Sequence, residues 1–310
     1  MAVQHAADVP GFGPLLRHWR TARRMSQLTL ANEAGISSRH LSYLETGRAQ
    51  PSREMVQLLA GALDVPLTDR NAMLLAAGYA PAYRQRKLEA PELEHVRRAL
   101  DFILRQHEPY PALVMDGGWN TIMSNQAARR IFGLFRNPAL DPALARNAMH
   151  VTCHPDGLRR FIENWEEFAG PLVQTLHREA AGGANAAAAR LRDAILAYPG
   201  MPPRWKIPDP FAPTAPVLTM RLKRDDLSVA FFSTLTTLLT PRDIMLEQLR
   251  IECFYPADRA TEATARRLAA ADGGSAERVR PPGPAGPAWH RRASRDTRRS
   301  RRARSARPSR

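Results

Sequence analysis

The chain has 310 residues, 44% of them hydrophobic, so it is long enough to build two domains with apolar cores. Its two cysteines are too few for a disulfide framework, and no apolar run approaches the roughly 18 residues that cross a bilayer. The first residues also lack the charged start and apolar run of a signal peptide. We therefore expect a soluble cytoplasmic protein that has no contact with a membrane.

The formal net charge of +15 lies mostly at the C-terminal end. Residues 273–310 contain twelve arginines against Glu277 and Asp296, a surplus of ten positive charges. Because this segment offers few residues to bury, its composition predicts a disordered basic tail. Its residues are mostly those with GC-rich codons, so the segment is either a functional tail or the product of a frameshift. Net charge is thus weak support for nucleic-acid binding.

Residues 12–80 contain five short helical patterns, which predict a compact all-α domain. The first pattern has apolar residues at i, i+3, i+4 and i+7, giving a helix with one buried face. Ser26 and Ser37 are placed as N-caps of the second and third helices. Two further helices are expected to end before Pro66 and at Gly78.

Residues 26–45 set two of these helices around a turn of small residues. Ala31 is small enough for crossing helices to touch, and Gly35 can adopt the positive φ that the turn requires. Leu30 and Leu41 are placed to face inward. This pattern predicts a helix-turn-helix that reads DNA, and hence a chain that controls transcription.

The second helix of such a motif lies in the major groove, with its first turns at the base edges. An arginine there can pair bidentately with guanine, and a tyrosine ring can contact a thymine methyl group. The predicted base-reading residues are Ser38, Arg39, Ser42 and Tyr43. The predicted phosphate contacts are Gln27, Ser37 and Arg48. For each residue, the alternative is a solvated polar side chain on a core helix.

Residues 16–63 resemble the lambda-repressor-like (Xre) helix-turn-helix family. The carrying segment is LRHWRTARRMSQLTLANEAGISSRHLSYLETGRAQPS, with S-Q at the motif start, L-A-x-x-A-G-I-S, L-S-x-L-E and G-R-x-x-P-S. In that family an arginine of the first helix commonly pairs with the glutamate that closes the recognition helix, and Arg20 and Glu45 fall on those positions. The resemblance implies a regulator that binds an operator in double-stranded DNA, and we expect a homodimer.

Residues 81–91 are polar and flanked by prolines, which predicts a linker. A second domain is predicted over residues 92–258. The predicted elements there are helices over 91–105, 125–135, 158–180 and 184–198, and strands over 112–116, 119–125, 217–224, 227–239 and 248–256. The first two strands should turn at Gly117-Gly118. Early strands, a helical middle and late strands predict an antiparallel sheet with a helical cover, an α+β domain that can enclose a ligand.

Residues 110–135, YPALVMDGGWNTIMSNQAARRIFGLF, resemble the opening of the MmyB-like regulator ligand-binding domain. Members of that family have a PAS-like fold and follow an Xre domain, as here. The resemblance implies a small hydrophobic ligand such as a fatty acid. The candidate pocket residues are aromatic and could equally be ordinary core residues: Trp119, Phe132, Trp165, Phe168, Phe231 and Phe232.

Other chemistry-bearing residues give no site. His150, Cys153 and His154 form an H-x-x-C-H pattern that lacks the further ligands of a zinc site. No Ser, Cys or Lys lies in a nucleophile motif, so we expect no enzyme activity, no metal and no cofactor. A ligand-responsive DNA-binding regulator is the leading hypothesis. The alternatives are a DNA-binding domain fused to an enzyme or to a protein-docking module.

Overall fold

The computed structural model describes residues 11–180, 186–209, 217–238 and 243–273. The described residues up to Ala270 belong to one compact unit. Residues 274–310, nearly all of the segment for which disorder is predicted, lie outside the described part of the chain.

Five helices form the first domain: α1 (Phe12–Ala22), α2 (Gln27–Glu33), α3 (Ser38–Glu45), α4 (Arg53–Ala62) and α5 (Leu67–Ala76). Ser26, Ser37 and Ser52 are the N-caps of α2, α3 and α4, and each hydroxyl accepts the backbone N–H three residues later. Gly35 and Gly47 adopt φ of 64° and 74° after α2 and α3. The predicted five-helix domain is therefore confirmed.

The core of this domain is a set of leucines from α1 to α4. Leu16, Leu30, Leu41, Leu44 and Leu59 are each at most 1% exposed. Burying one such side chain stabilises a fold by about 1.5–3 kcal/mol. Because Leu41 and Leu44 hold α3 from the inside, the opposite side of α3 is fixed toward solvent.

The second domain begins with a 3₁₀ turn at Pro91–Leu93 and continues with helices and strands. Its helices are α6 (Glu94–Gln106), α7 (Gln126–Leu134), α8 (Ala148–Cys153), α9 (Trp165–Ala180), α10 (Ala186–Leu196), α11 (Ile244–Glu247) and α12 (Arg259–Gly273). Its strands are β1 (Ala112–Met115), β2 (Thr121–Ser124), β3 (Thr219–Arg224), β4 (Leu227–Thr236) and β5 (Arg250–Pro256).

The five strands form one antiparallel sheet in the order β2-β1-β5-β4-β3. The last strand, β5, lies at the centre, between β1 and β4. Its residue Glu252 stands opposite Leu113 of β1 and opposite Leu235 of β4. This arrangement confirms the predicted antiparallel sheet with a helical cover.

Alternation along the strands divides the sheet into two faces. Met220, Phe231 and Phe254 belong to a large core that includes residues of α7, α8 and α9. Val114 and Ile251 belong to a separate core with α6. We call the first of these faces the inner face, because it carries the cavity described below.

The predicted helix over 158–180 is interrupted in the structure. A 3₁₀ turn covers Leu158–Phe161, and α9 begins only at Trp165. Between them Ile162 bridges to Leu222 of β3. The Asn164 amide donates to the Thr219 carbonyl oxygen at 2.8 Å, and its oxygen accepts the Arg221 N–H at 3.0 Å. The chain is extended there because Asn164 is bound to β3.

Helix α12 lies beyond the last predicted element. Its Ala265 is fully buried in the core of the inner face. The Thr261 hydroxyl accepts the backbone N–H of Ala230 at 2.9 Å, which ties the helix to β4. Alanine-rich sequence offered no strong apolar stripe here, so periodicity alone did not reveal a helix that packs on the domain.

Candidate nucleic-acid interface and ligand cavity

The first turns of α3 present the predicted base-reading residues together. Ser38 and Arg39 are exposed, and Ser42 and Tyr43 are half-buried one turn later. The Arg39 Nε donates to the Tyr43 hydroxyl at 2.9 Å, and the guanidinium carbon lies 5.4 Å from the ring centroid. An exposed cation is thus held over an aromatic ring on the outer side of the recognition helix, a geometry suited to a base edge.

The predicted phosphate-contacting residues differ in how far the fold already uses them. The Ser37 hydroxyl accepts the His40 N–H at 3.1 Å as the cap of α3, and the Gln27 amide donates to Glu45 Oε2 at 2.7 Å. Arg48 is exposed, and within the described residues its guanidinium forms no ion pair. Of the three, Arg48 therefore offers a phosphate the most accessible donors.

An ion pair joins α1 to the end of α3, at the positions that the resemblance indicated. Arg20 Nε lies 2.6 Å from Glu45 Oε1, and its Nη2 lies 3.0 Å from Oε2. Arg20 Nη1 also donates to the Met25 carbonyl oxygen at 2.8 Å, in the turn before α2. Burial would raise the pKa of Glu45, but hydrogen bonds from Arg20 and Gln27 hold it below its ordinary value. This network fixes the recognition helix against α1 and α2.

A cavity of about 780 Å³ lies between the inner face of the sheet and helices α7, α8 and α9. Ligand pockets in proteins commonly span roughly 300–1,000 Å³. Its walls are mainly apolar, with Leu113, Met149, Leu172, Met220 and Phe254 among the lining residues. The volume and the apolar lining are those of a ligand pocket.

Three of the six aromatic residues predicted for the pocket line this cavity: Trp119, Phe132 and Phe168. The other three lie outside its lining. Trp165 packs against the ring of Trp205 at a centroid distance of 4.9 Å, and Phe231 is fully buried in the core. Phe232 stacks on Tyr255 at 5.3 Å. Neighbouring positions on β4 point to opposite faces, so Phe231 and Phe232 cannot both face one cavity.

Trp119 is held in place at the cavity wall by charged partners. It has a φ of 65° in the turn between β1 and β2. Its indole N–H donates to Glu179 Oε2 at 3.0 Å, and the same carboxylate pairs with Arg250. The Arg250 guanidinium lies 4.5 Å from the Trp119 ring centroid. The indole is therefore fixed from both its edge and its face.

The polar side chains of the cavity were not found from the sequence. Arg129, Arg136 and Arg146 line it from the helical wall and are also exposed, so they lie where the cavity meets solvent. Ser233 and Glu252 line it from the sheet. The signal that could have identified Glu252 is strand alternation, since it shares a face with Phe254 two residues later.

Helix α11 connects this domain to the DNA-binding helices. Pro66, the N-cap of α5, has no side-chain acceptor, and Glu247 supplies one by accepting the Leu67 N–H at 2.8 Å. The next residue, Gln248, donates to the Thr68 hydroxyl at 3.3 Å. A helix of the first domain is thus capped by a carboxylate of the second.

In the H-x-x-C-H segment Cys153 is buried, and His150 and His154 are half-buried. His150 Nδ1 lies 2.6 Å from the Tyr198 hydroxyl, and burial raises the pKa of Cys153 to about 12. Within the described ranges no three His, Cys, Asp or Glu side chains come together as metal ligands. Nor does any described helix have the length and hydropathy to cross a membrane.

The structure joins a helix-turn-helix domain to an α+β domain with an internal cavity, the arrangement of a DNA-binding domain followed by a ligand-binding domain. Comparison with known families agrees with this class. The model for the MmyB-like transcription regulator ligand binding domain matches residues 96–268, and the model for a helix-turn-helix domain matches residues 12–73. The chain therefore belongs to the family of regulators with an MmyB-like ligand-binding domain.

Individual relatives are more distant. The chain is 37% identical over 82 residues to the uncharacterized HTH-type transcriptional regulator RghRB of Bacillus subtilis strain 168. That match covers 26% of this chain and 57% of the relative. A solved structure, titled an RNA-binding light-oxygen-voltage receptor, matches with a TM-score of 0.26 and 12% identity. The match covers 88% of this chain and 64% of the other.

Proposed function

We propose that this regulator binds an operator sequence as a homodimer in the cytoplasm, and that its second domain binds a small hydrophobic ligand with an acidic head, such as a fatty acid. The observation that carries this proposal is the combination of two features in one compact unit. Exposed side chains lie on the recognition helix, and a large apolar cavity lies in the domain that caps α5.

The chemistry of the cavity supports an amphiphilic ligand. Its apolar walls favour an alkyl chain, because removing such a chain from water releases about 0.8 kcal/mol per methylene group. The arginines at its opening favour an anion, since a guanidinium pairs with a carboxylate through two parallel hydrogen bonds. Arg136 and Arg146 form no ion pair within the described part of the chain, so their donors are available.

The junction at α11 offers a way for the ligand to affect DNA binding. Trp119 lines the cavity, and the turn that carries it contacts Gln248, which bonds to Thr68 of α5. A Cβ on Gly117 in that turn would stand 2.6 Å from Gln248 Oε1, so the two segments are in close contact. A ligand can shift DNA binding through this contact only if it has different affinities for two arrangements of the junction.

The DNA-reading role is tested by the substitution Arg39→Ala in the full-length protein. We expect a loss of about 1–3 kcal/mol, confined to one base pair of the selected operator. The matched control is Arg48→Ala, which should weaken binding to all sequences alike. It should also reduce the slope of log affinity against log salt concentration by about one. Uniform weakening by Arg39→Ala, measured by gel shift on a set of operator variants, would contradict base reading.

The ligand-binding role is tested with dodecanoic acid and its methyl ester, using calorimetry and native mass spectrometry on the full-length protein. Wild-type protein should bind the acid more tightly than the ester. The double substitution Arg136→Gln/Arg146→Gln should remove that difference while leaving ester binding unchanged. If neither compound binds, the proposed ligand class is wrong. Operator affinity is also measured with and without each compound. If both compounds bind but neither changes operator affinity, the proposed sensing role is wrong.

A further inference from the structure

Glu252 is an acidic side chain on the apolar sheet wall of the cavity. It lies on the central strand β5, between Leu113 of β1 and Leu235 of β4, and two residues before Phe254. All four of these residues line the cavity. A carboxyl group among such neighbours costs free energy unless the cavity's occupant interacts with it.

Among the described residues no cation pairs with this carboxyl group. Within the described residues Glu252 forms no ion pair, and the arginines that line the cavity lie on its helical wall. Arg129 there is bound to the carbonyl and hydroxyl oxygens of Ser124, at 2.6 and 3.0 Å. Asp156, the other acidic lining residue, accepts from the Asn137 amide at 3.1 Å.

Burial raises the pKa of Glu252 to about 7, against a smaller opposing effect of the hydrogen bond from Ser233. Near neutral pH the group is therefore uncharged in a large fraction of molecules. When Ser233 donates to the carbonyl oxygen, the acidic O–H of Glu252 is left to donate to a further acceptor. An alkyl chain offers none, whereas a hydroxyl or carbonyl oxygen does.

We propose that Glu252 is a binding residue that donates to an oxygen on the ligand's chain, so that the ligand is a hydroxylated or oxo carboxylic acid rather than an unsubstituted one. This inference rests on the proposed function, because it takes the arginines as the site of the acidic head. The arginines on the helical wall then bind the acidic head, and Glu252 on the sheet binds the chain oxygen. The substituted oxygen sets specificity, and the alkyl chain supplies affinity.

The test measures binding of dodecanoic acid and its monohydroxylated isomers to the full-length protein at pH 6. At least one isomer should bind about tenfold more tightly than the unsubstituted acid, since an alkyl chain that covers the half-buried Glu252 carboxyl group leaves its donor without a partner. The substitution Glu252→Leu should abolish this preference. The variant protein should bind dodecanoic acid at least as tightly as the wild type. Glu252→Gln, which keeps a hydrogen-bond donor, should retain the preference. Circular dichroism verifies that both variants fold.

A second measurement separates hydrogen bonding from shape. As pH rises from about 6 to 8, Glu252 ionises and its donor is lost, so the wild-type preference should decline. The preference of the Glu252→Gln variant should stay constant over the same range. That result would show that His150 and His154, the histidines in and after α8, do not cause the decline. A preference that declines equally in both proteins would overturn the assignment to Glu252.

The outcomes distinguish this inference from the function on which it rests. If dodecanoic acid binds and no hydroxylated isomer is preferred, the role of Glu252 is overturned and the proposed function stands. The same holds if Glu252→Leu keeps the preference. If no acid of the set binds, both the proposed ligand class and this inference are overturned.

Discussion

The ion pair between Arg20 and Glu45 provides the sharpest test of how the recognition helix is held. The substitution Arg20→Met keeps much of the apolar stem and removes the guanidinium. The side chains of Arg20 and Glu45 are 13% and 2% exposed, so the change leaves a buried carboxylate that keeps the Gln27 hydrogen bond and the nearby charge of Arg17 but loses its ion pair. Removing one partner of a buried pair costs about 3–5 kcal/mol, and we expect a loss of that size at pH 7.

The pH dependence of this loss follows from the pKa of Glu45. In the wild type that pKa is lowered, so the pair stabilises the fold above the ordinary glutamate pKa, and the contribution is lost as pH falls through the lowered value. In Arg20→Met the effect of burial is no longer balanced, and the pKa of Glu45 should rise above its ordinary value. The variant then gains stability as its carboxyl group is protonated. The difference between the two proteins should therefore shrink from pH 7 to about pH 4.

The measurement is native-state hydrogen exchange by mass spectrometry, which reports the free energy of opening separately for each domain. Peptides that cover α2 and α3 should lose protection in Arg20→Met, and those from β5 should not. The matched control is Arg105→Met, which breaks an exposed pair with Asp101 on α6. Its members are 68% and 49% exposed, so the loss should be under about 0.5 kcal/mol. Equal losses in the two variants, or a loss that is constant with pH, would refute the reasoning.

Two further substitutions test close contacts. Gly13→Ala would place a Cβ 2.5 Å from the Glu45 carbonyl oxygen, so it should displace α1 from α3 and lower the melting temperature. As the control, the Cβ of Gly61→Ala would meet nothing within 4 Å, so this substitution should stabilise α4 by about 0.5–1 kcal/mol. Glu247→Ala removes the acceptor for the Leu67 N–H, so it should lower protection of α5 by about 1 kcal/mol. An unchanged exchange rate at Leu67 would show that the cap has no effect.

The DNA-binding domain could be predicted from sequence because its signals are local. Ser26 and Ser37 each accept a backbone N–H three residues later in the helix that they cap, and Gly35 supplies the positive φ of the turn between α2 and α3. Such interactions are encoded over a few positions, so one sequence suffices to place them. Glu247 shows the limit of this approach, since it caps α5 from 180 residues away in the chain. Nothing near Pro66 reveals that the missing acceptor comes from another domain.

The cavity was harder to predict because its lining is set by how distant strands align. Aromatic content identified Trp119, Phe132 and Phe168, which line it, and Trp165, Phe231 and Phe232, which do not. These two sets do not differ in residue type.

What separates residues that line the cavity from those that pack elsewhere is the face of the sheet and the distance from the helical wall. Both depend on the pairing of β5 between β1 and β4. The same pairing brings Glu252 to the inner face, where removing a carboxyl group from water costs free energy that an apolar side chain would not cost. A polar side chain among apolar neighbours indicates a role in function, because folding alone favours an apolar residue at that position. For this reason the side chain that aromatic content overlooked is the one from which the chemistry of the ligand can be inferred.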